Sequence, residues 1–290
     1  MPYASSRRHY RINARDRILD LGPRTLIMGI LNVTPDSFSD GGAFFDTSRA
    51  VERAWRIAEE GADILDLGGE STRPGSQGVS AAEELRRIVP VLDALAGKYP
   101  LPISIDTSKS EVGRAALERG AALVNDITAL SKDPELGKAA ASCGAGVILM
   151  HVRGEPGTMQ DLPPSPDILG EIEAWAGKAV QRAQALGVAP DKIILDPGIG
   201  FGKTASQNLE ILRSLDRLAA AGFPVLIGAS RKAFVGRYLG DPARDRSWGS
   251  AAAAVASILF GAHIVRVHDV AATRDVARIA DALVNERVSE

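Results

Sequence analysis

Eight short apolar runs in this chain each end at a side chain able to bind or react. They are IMGILN at Asn32, ILDLGGE at Glu70, ISID at Asp106, LVND at Asn125 and Asp126, VILMH at His151, IILD at Asp196, VLIGASRK at Lys232 and IVRVH at His268. Asp106, Asn125 and Asp196 bring together two carboxylates and an amide. Such a set can accept paired hydrogen bonds from a ligand edge with adjacent N–H groups, as in a guanidine-like heterocycle, hold a metal ion, or work as an acid/base pair. A single strand-end Asp often only caps the next helix, a reading that weakens when three such residues occur together. Arg73, Lys232, Arg266 and His268 add positive charge or donors, which suits an anion such as phosphate or pyrophosphate, and the amide oxygen of Asn32 can hold Mg2+.

The tract Gly198-Ile199-Gly200-Phe201-Gly202-Lys203-Thr204 superficially suggests a nucleotide loop. A P-loop needs Gly five positions before Gly202, and that position is Pro197. The dinucleotide pattern fails as well, because its third glycine would fall on Lys203. These glycines instead let the backbone approach a flat ligand, with Phe201 offering an aromatic face. Two further loops, Thr34 to Gly42 and Ser71 to Ser76, combine turn formers with hydroxyl, carboxylate and guanidinium groups beside Phe38, and suit mobile lids that exclude water.

Positioning these groups requires strands that end together. Between the apolar runs lie segments with helical spacing, expected as helices over 48–60, 81–95, 109–119, 134–143, 207–221, 249–261 and 272–284. A further helix is expected to open at Ser165, its N-cap, with Pro166 in the first helical position. Eight strands alternating with helices match the count of a (β/α)8 TIM barrel, an α/β fold whose catalytic groups sit at the C-terminal strand ends. A doubly wound open sheet fits the same pattern, and it too places ligands at carboxyl strand ends. Arg266 and His268 are two residues apart, as are Ser104 and Asp106, so each pair faces one side of its strand. Polar pairs of this kind belong at the barrel mouth, not under covering helices.

The chain has 290 residues, 45% hydrophobic and 24% charged, a composition expected of a soluble globular protein. The expected organisation is a polar N-terminal extension over 1–24, with a short strand at Arg17 to Leu21, followed by a single barrel domain over 25–290. A net charge of -2 argues against nucleic acid and for a small-molecule partner. Cys143 is the only cysteine, which excludes an internal disulfide framework and fits a reducing, cytoplasmic setting. The uncharged stretch from Trp248 to Val265 reads as a buried helix leading into a strand, not as a membrane span.

The blocks GILNVTPDSFSDGG, DLGGESTRPGS, SIDTSK, VNDI, LMHVRGEPGTMQ, ILDPGIGFGK, GASRK and RVHDV resemble, in order, the signature blocks of bacterial dihydropteroate synthases, and cover the chain from about Thr25 to Asp269. The resemblance implies a (β/α)8 barrel and a transferase of folate biosynthesis. Its members condense 6-hydroxymethyl-7,8-dihydropterin pyrophosphate with p-aminobenzoate to give 7,8-dihydropteroate and pyrophosphate. Carried onto this chain, it implies a pterin pocket of Asp106, Asn125, Asp196 and Lys232, with Arg266 stacked on the ring. Asn32, Arg266 and His268 would bind pyrophosphate with Mg2+. Thr72, Arg73, Pro74, Phe201 and Lys232 would border p-aminobenzoate, and Asp36 and Phe38 would close over a pterin carbocation formed in a dissociative reaction.

The resemblance also implies a homodimer through helices near the C-terminus and competition by sulfonamides. One departure stands out. Many members carry Ser after the SRK triplet where this chain has Ala233, which removes a hydroxyl contact to the p-aminobenzoate carboxylate. His151 and Arg153 match a family block and are expected mainly to support the site. Two other functions stay open at this level: a pterin-binding methyltransferase module, against which the TPDSFSDGG and STRPG loops argue, and a noncatalytic pterin-binding paralogue.

Overall fold

Strand parity decides how the chain closes on itself. In the computed structural model, which describes residues 7–34, 43–71, 76, 78–155, 157–241 and 243–285, the chain opens with an antiparallel hairpin, β1 (Tyr10–Ala14) and β2 (Arg17–Leu21). Alternate residues Ile12, Ala14, Leu19 and Leu21 point the same way and are buried against Leu26, Met28, Ile64, Leu123, Ile148, Ile194, Leu226 and Ile264. These side chains form an apolar floor below the barrel interior. Both hairpin strands therefore do structural work, and the second one matches the strand expected at Arg17 to Leu21.

Among the described residues the main sheet has eight parallel strands: β3 (Leu26–Asn32), β4 (Ile64–Gly68), β5 (Ile103–Asp106), β6 (Leu123–Asp126), β7 (Gly146–Met150), β8 (Ile193–Asp196), β9 (Leu226–Ile227) and β10 (Ile264–Val267). Their order is β8-β7-β6-β5-β4-β3-β10-β9. A parallel bridge between Leu195 and Val225, with the Leu195 N–H donating to the Pro224 carbonyl at 3.0 Å, joins the two ends. The sheet is thus closed as a (β/α)8 barrel, and the open doubly wound alternative falls away.

Helices α1 (Ala43–Glu59), α2 (Ala81–Leu95), α3 (Ser110–Glu118), α4 (Pro134–Cys143), α5 (Ile168–Ala185), α6 (Ala205–Arg213), α7 (Leu215–Ala219), α8 (Ala233–Tyr238), α9 (Ser247–Leu259) and α10 (Val270–Asn285) link or follow the strands. Outward-facing strand residues such as Leu65, Ile105, Val265 and Val267 pack under them in one large apolar layer. Inward-facing positions instead carry the floor and, above it, the polar groups, as the spacing of Arg266 and His268 requires.

Two local expectations are corrected, and one helix was not expected. The N-cap of α5 is Asp167, whose carboxylate accepts the Gly170 N–H at 2.9 Å, so Ser165 and Pro166 lie outside the helix. The segment expected as one helix over 207–221 starts at Ala205 and splits into α6 and α7 at Ser214, where φ -126° and ψ 30° depart from helical values. Helix α8 has only six residues, too few to register as a periodic pattern. The uncharged stretch from Trp248 forms most of α9 and runs into β10, and among the described residues no helix is long and apolar enough to cross a membrane.

Candidate active site

The C-terminal ends of the barrel strands open into a cavity of about 1230 Å3, whose wall includes Asn32, Asp106, Phe201, Lys232, Arg266 and His268. Arg266 is its electrostatic centre. Its Nη2 donates to Asp106 Oδ2 at 2.7 Å and its Nε to Asp66 Oδ2 at 2.6 Å. Asn125 Nδ2 donates to the same Asp66 oxygen at 3.2 Å. Burial pushes the Asp106 carboxyl up, with Arg266 opposing and Asp66, Glu84 and Asp126 reinforcing the shift. Burial acts to lower the Arg266 pKa, but the two carboxylates outweigh it and hold the guanidinium charged.

On the other side of the barrel, Asp196 is buried and its Oδ1 accepts the Gly198 N–H at 2.7 Å. Burial raises its pKa to about 6 against the pull of the Gly198 N–H, Lys232 and Arg266. The loop that follows is organised by Lys203. Its buried ammonium donates to the carbonyls of His151 at 3.1 Å, Gly198 at 2.9 Å and Phe201 at 3.0 Å, and burial lowers its pKa to about 7. Gly198 takes φ 68°, and a Cβ there would lie 1.9 Å from the His151 carbonyl oxygen, so only glycine fits this approach. The loop presents Phe201 with the Lys232 Nζ 3.9 Å from its ring centroid, a cation–π pair on the cavity wall.

At the mouth, Gly68 leaves the space between Asn32 and Asp106 open, since a Cβ on it would be 3.4 Å from Asp106 Cβ and 3.5 Å from Asn32 Oδ1. His268 Nδ1 lies 3.0 Å from Ser230 Oγ, which fixes the ring at the end of β10. The structure thus brings Asn32, Asp106, Phe201, Lys232, Arg266 and His268 to one cavity, with Asn125 and Asp196 buried beside them. Asp36, Phe38, Thr72, Arg73 and Pro74 lie outside the described residues.

His151 and Arg153 pack against the glycine loop. Burial, then Lys203 and Arg153, lower the His151 pKa to about 3, and its ring packs edge-on against Trp175 at 5.3 Å. Arg153 reaches Glu171 at 3.1 Å and the Gly202 carbonyl at 3.1 Å. Two residues of the network escape a reading of strand ends. Asp66 lies inside its apolar run, one pleat below the mouth, and Lys203 was visible only as part of a failed P-loop. The signal for Asp66 was its parity with Gly68, which places a carboxylate inside the barrel.

The family model described as "Pterin binding enzyme" matches residues 28–268. The chain belongs to the pterin binding enzyme family. This pterin binding enzyme is 49% identical over 267 residues to the dihydropteroate synthase of Synechocystis sp., covering 92% of each chain. It is 44% identical to that of Escherichia coli K12, over 90% of this chain and 92% of the relative. Among solved structures, the Xanthomonas albilineans dihydropteroate synthase with 4-aminobenzoic acid superposes with a TM-score of 0.88 at 42% identity, over 97% of this chain and 100% of that one. The same species' enzyme in complex with 7,8-dihydropteroate gives 0.85 at 40% identity, over 96% and 100%.

Proposed function

We infer that this pterin binding enzyme is a dihydropteroate synthase, a transferase that joins 6-hydroxymethyl-7,8-dihydropterin pyrophosphate to p-aminobenzoate. The observation that carries this reading is the placement of two buried carboxylates, Asp106 and Asp196, and the Asn125 amide beside a cavity large enough for two substrates. Acceptors held in a dry pocket suit the N–H-rich edge of a pterin and penalise rings that would leave them unpaired. Arg266 would lie against the ring, and Lys232 would border both substrates. The methyltransferase alternative has no comparable support, since the named relatives over nine-tenths of the chain are synthases.

In the reaction, the bond between the pterin methylene carbon and the pyrophosphate oxygen breaks, and its electron pair leaves with pyrophosphate. The p-aminobenzoate nitrogen then bonds to that carbon and releases a proton to water. His268 and Arg266, both on the cavity wall, would neutralise the departing charge. Phe201 and Lys232 would hold the aromatic acceptor, with Thr72, Arg73 and Pro74 completing its border. Asp36 and Phe38 would close the mouth and exclude water from the cationic carbon.

Among the described residues no cluster of His, Cys, Asp and Glu can cage a metal ion. The donor set fits Mg2+ arriving with pyrophosphate, since the Asn32 amide oxygen is a hard ligand at the mouth and magnesium keeps waters and phosphate oxygens as its other ligands. When bound, it would supply charge neutralisation of the leaving group. We propose that the enzyme works as a cytoplasmic homodimer, with Trp248, which is 84% exposed, and Ile279 and Leu283 of α10 at the dimer face. The test is pyrophosphate release by the purified protein. It should require pterin pyrophosphate, p-aminobenzoate and Mg2+ together; release that ignores p-aminobenzoate would contradict the reading.

A further inference from the structure

A guanidinium lying against a pterin ring is an odd companion for a reaction that builds positive charge on that ring. Arg266 alone would oppose bond breaking, because like charges in a low-dielectric pocket repel strongly. It is not alone. Asp66 and Asp106 flank it at 2.6 Å and 2.7 Å, on Nε and Nη2 respectively, so two carboxyl groups face one guanidinium. Asp66 is fully buried, on the inward face of β4 in register with Ile30 and Ser104. A buried carboxylate is costly, and a neutral acceptor could make the same hydrogen bonds at less cost.

We propose that Asp66 is a positioning residue that holds Arg266 and Asn125 against the pterin and supplies the negative charge that lets Arg266 lie there as the ring becomes cationic. The proposal rests on the synthase reading above. Its reach comes from the way one oxygen is shared: Arg266 Nε and Asn125 Nδ2 both donate to Oδ2, which links the two pterin-facing groups through a single carboxylate. The other oxygen, Oδ1, is buried without a protein partner, as is Ser104 Oγ on the neighbouring strand. An amide can therefore replace this carboxylate with its oxygen at the Oδ2 position and both bonds kept, its NH2 facing the side from which no donor comes. Asp66→Asn removes charge and leaves geometry, whereas Asp66→Ala removes both.

The experiment measures dihydropteroate formation and pterin affinity for the wild type, Asp66→Asn and Asp66→Ala. Asp66→Asn should lower kcat about tenfold or more while KM for both substrates stays within about threefold. Asp66→Ala should in addition weaken pterin binding, because Arg266 and Asn125 lose their shared anchor. The part of the acid limb of pterin binding that comes from Asp106 should move to lower pH in Asp66→Asn, since Asp66 is one of the negative groups facing Asp106, alongside Glu84 and Asp126 and opposed by Arg266. A purely structural role would leave that limb in place. A folded Asp66→Asn enzyme with kcat within about twofold of wild type would overturn the proposal. Independently of any variant, the wild type should bind a pterin with a fixed positive charge at the methylene position more tightly than its neutral isostere, and the reverse order would also overturn it. A wild type that makes no dihydropteroate yet shows the cation preference would sink the synthase reading and leave the charge role of Asp66 standing.

Discussion

The carboxylate of Asp196 accepts the backbone N–H of Gly198 at 2.7 Å, so the acid at the end of β8 and the glycine loop behind it are tied together. Because burial raises Asp196 to about 6, its charge is lost within an accessible pH range. Pterin binding that needs the carboxylate should weaken below pH 6, by up to about tenfold per unit, in a fluorescence titration of the free enzyme. The stability effect has the opposite sense. With a folded pKa above its unfolded value, Asp196 binds more protons in the native state between about 4 and 6, so its contribution to stability falls as pH rises through that window. Asp196→Asn should flatten that part of the stability profile in thermal melts.

The two substrates should separate by mutation. Asp196→Ala should abolish pterin binding in isothermal titration, because the acceptor for the ring edge is gone. Arg73→Ala should leave pterin affinity within about threefold and raise KM for p-aminobenzoate tenfold or more, the scale of a charge-assisted contact. Equal loss of pterin affinity in both variants would contradict this partition of the pocket.

Gly198→Ala should be severe despite adding a single methyl group. The position has φ 68°, and the new carbon would fall 1.9 Å from the His151 carbonyl, which also accepts from Lys203. We expect a loss of about 2 kcal/mol or more, or failure to accumulate as soluble protein, measured by denaturant unfolding.

Ala233 opens α8 and lines the cavity next to Lys232. Ala233→Ser should restore a hydroxyl to the acceptor site and lower KM for p-aminobenzoate by about threefold, the worth of one modest hydrogen bond. An unchanged KM in steady-state kinetics would mean that the hydroxyl does not reach the substrate.

The location of the site was legible because barrel strands have period-two parity and end together. Asp106, Asn125, Asp196, Lys232 and Arg266 each close an apolar run or lie one pleat from its end, and all five gather at one end of the barrel. Asp66 was hidden by the same rule. It sits inside a run, where a buried charge survives only through partners on β6 and β10 that are far away in sequence. Lys203 was equally obscure, because its function is to satisfy three carbonyls, which carry no side-chain signature. The first hairpin strand was missed because its apolar face, Ile12 and Ala14, finds meaning only against the barrel floor. The cap of α5 shifted from Ser165 to Asp167 because both residues are competent caps and the hydrophobic pattern fixes a helix start only to within a turn.

The most direct test of the central claim is mass spectrometry of the product formed from isotopically labelled p-aminobenzoate and unlabelled pterin pyrophosphate with Mg2+. The enzyme should yield labelled 7,8-dihydropteroate in a one-to-one ratio with pyrophosphate, and yield none when either substrate is omitted. Tight pterin binding with no labelled dihydropteroate would contradict the account.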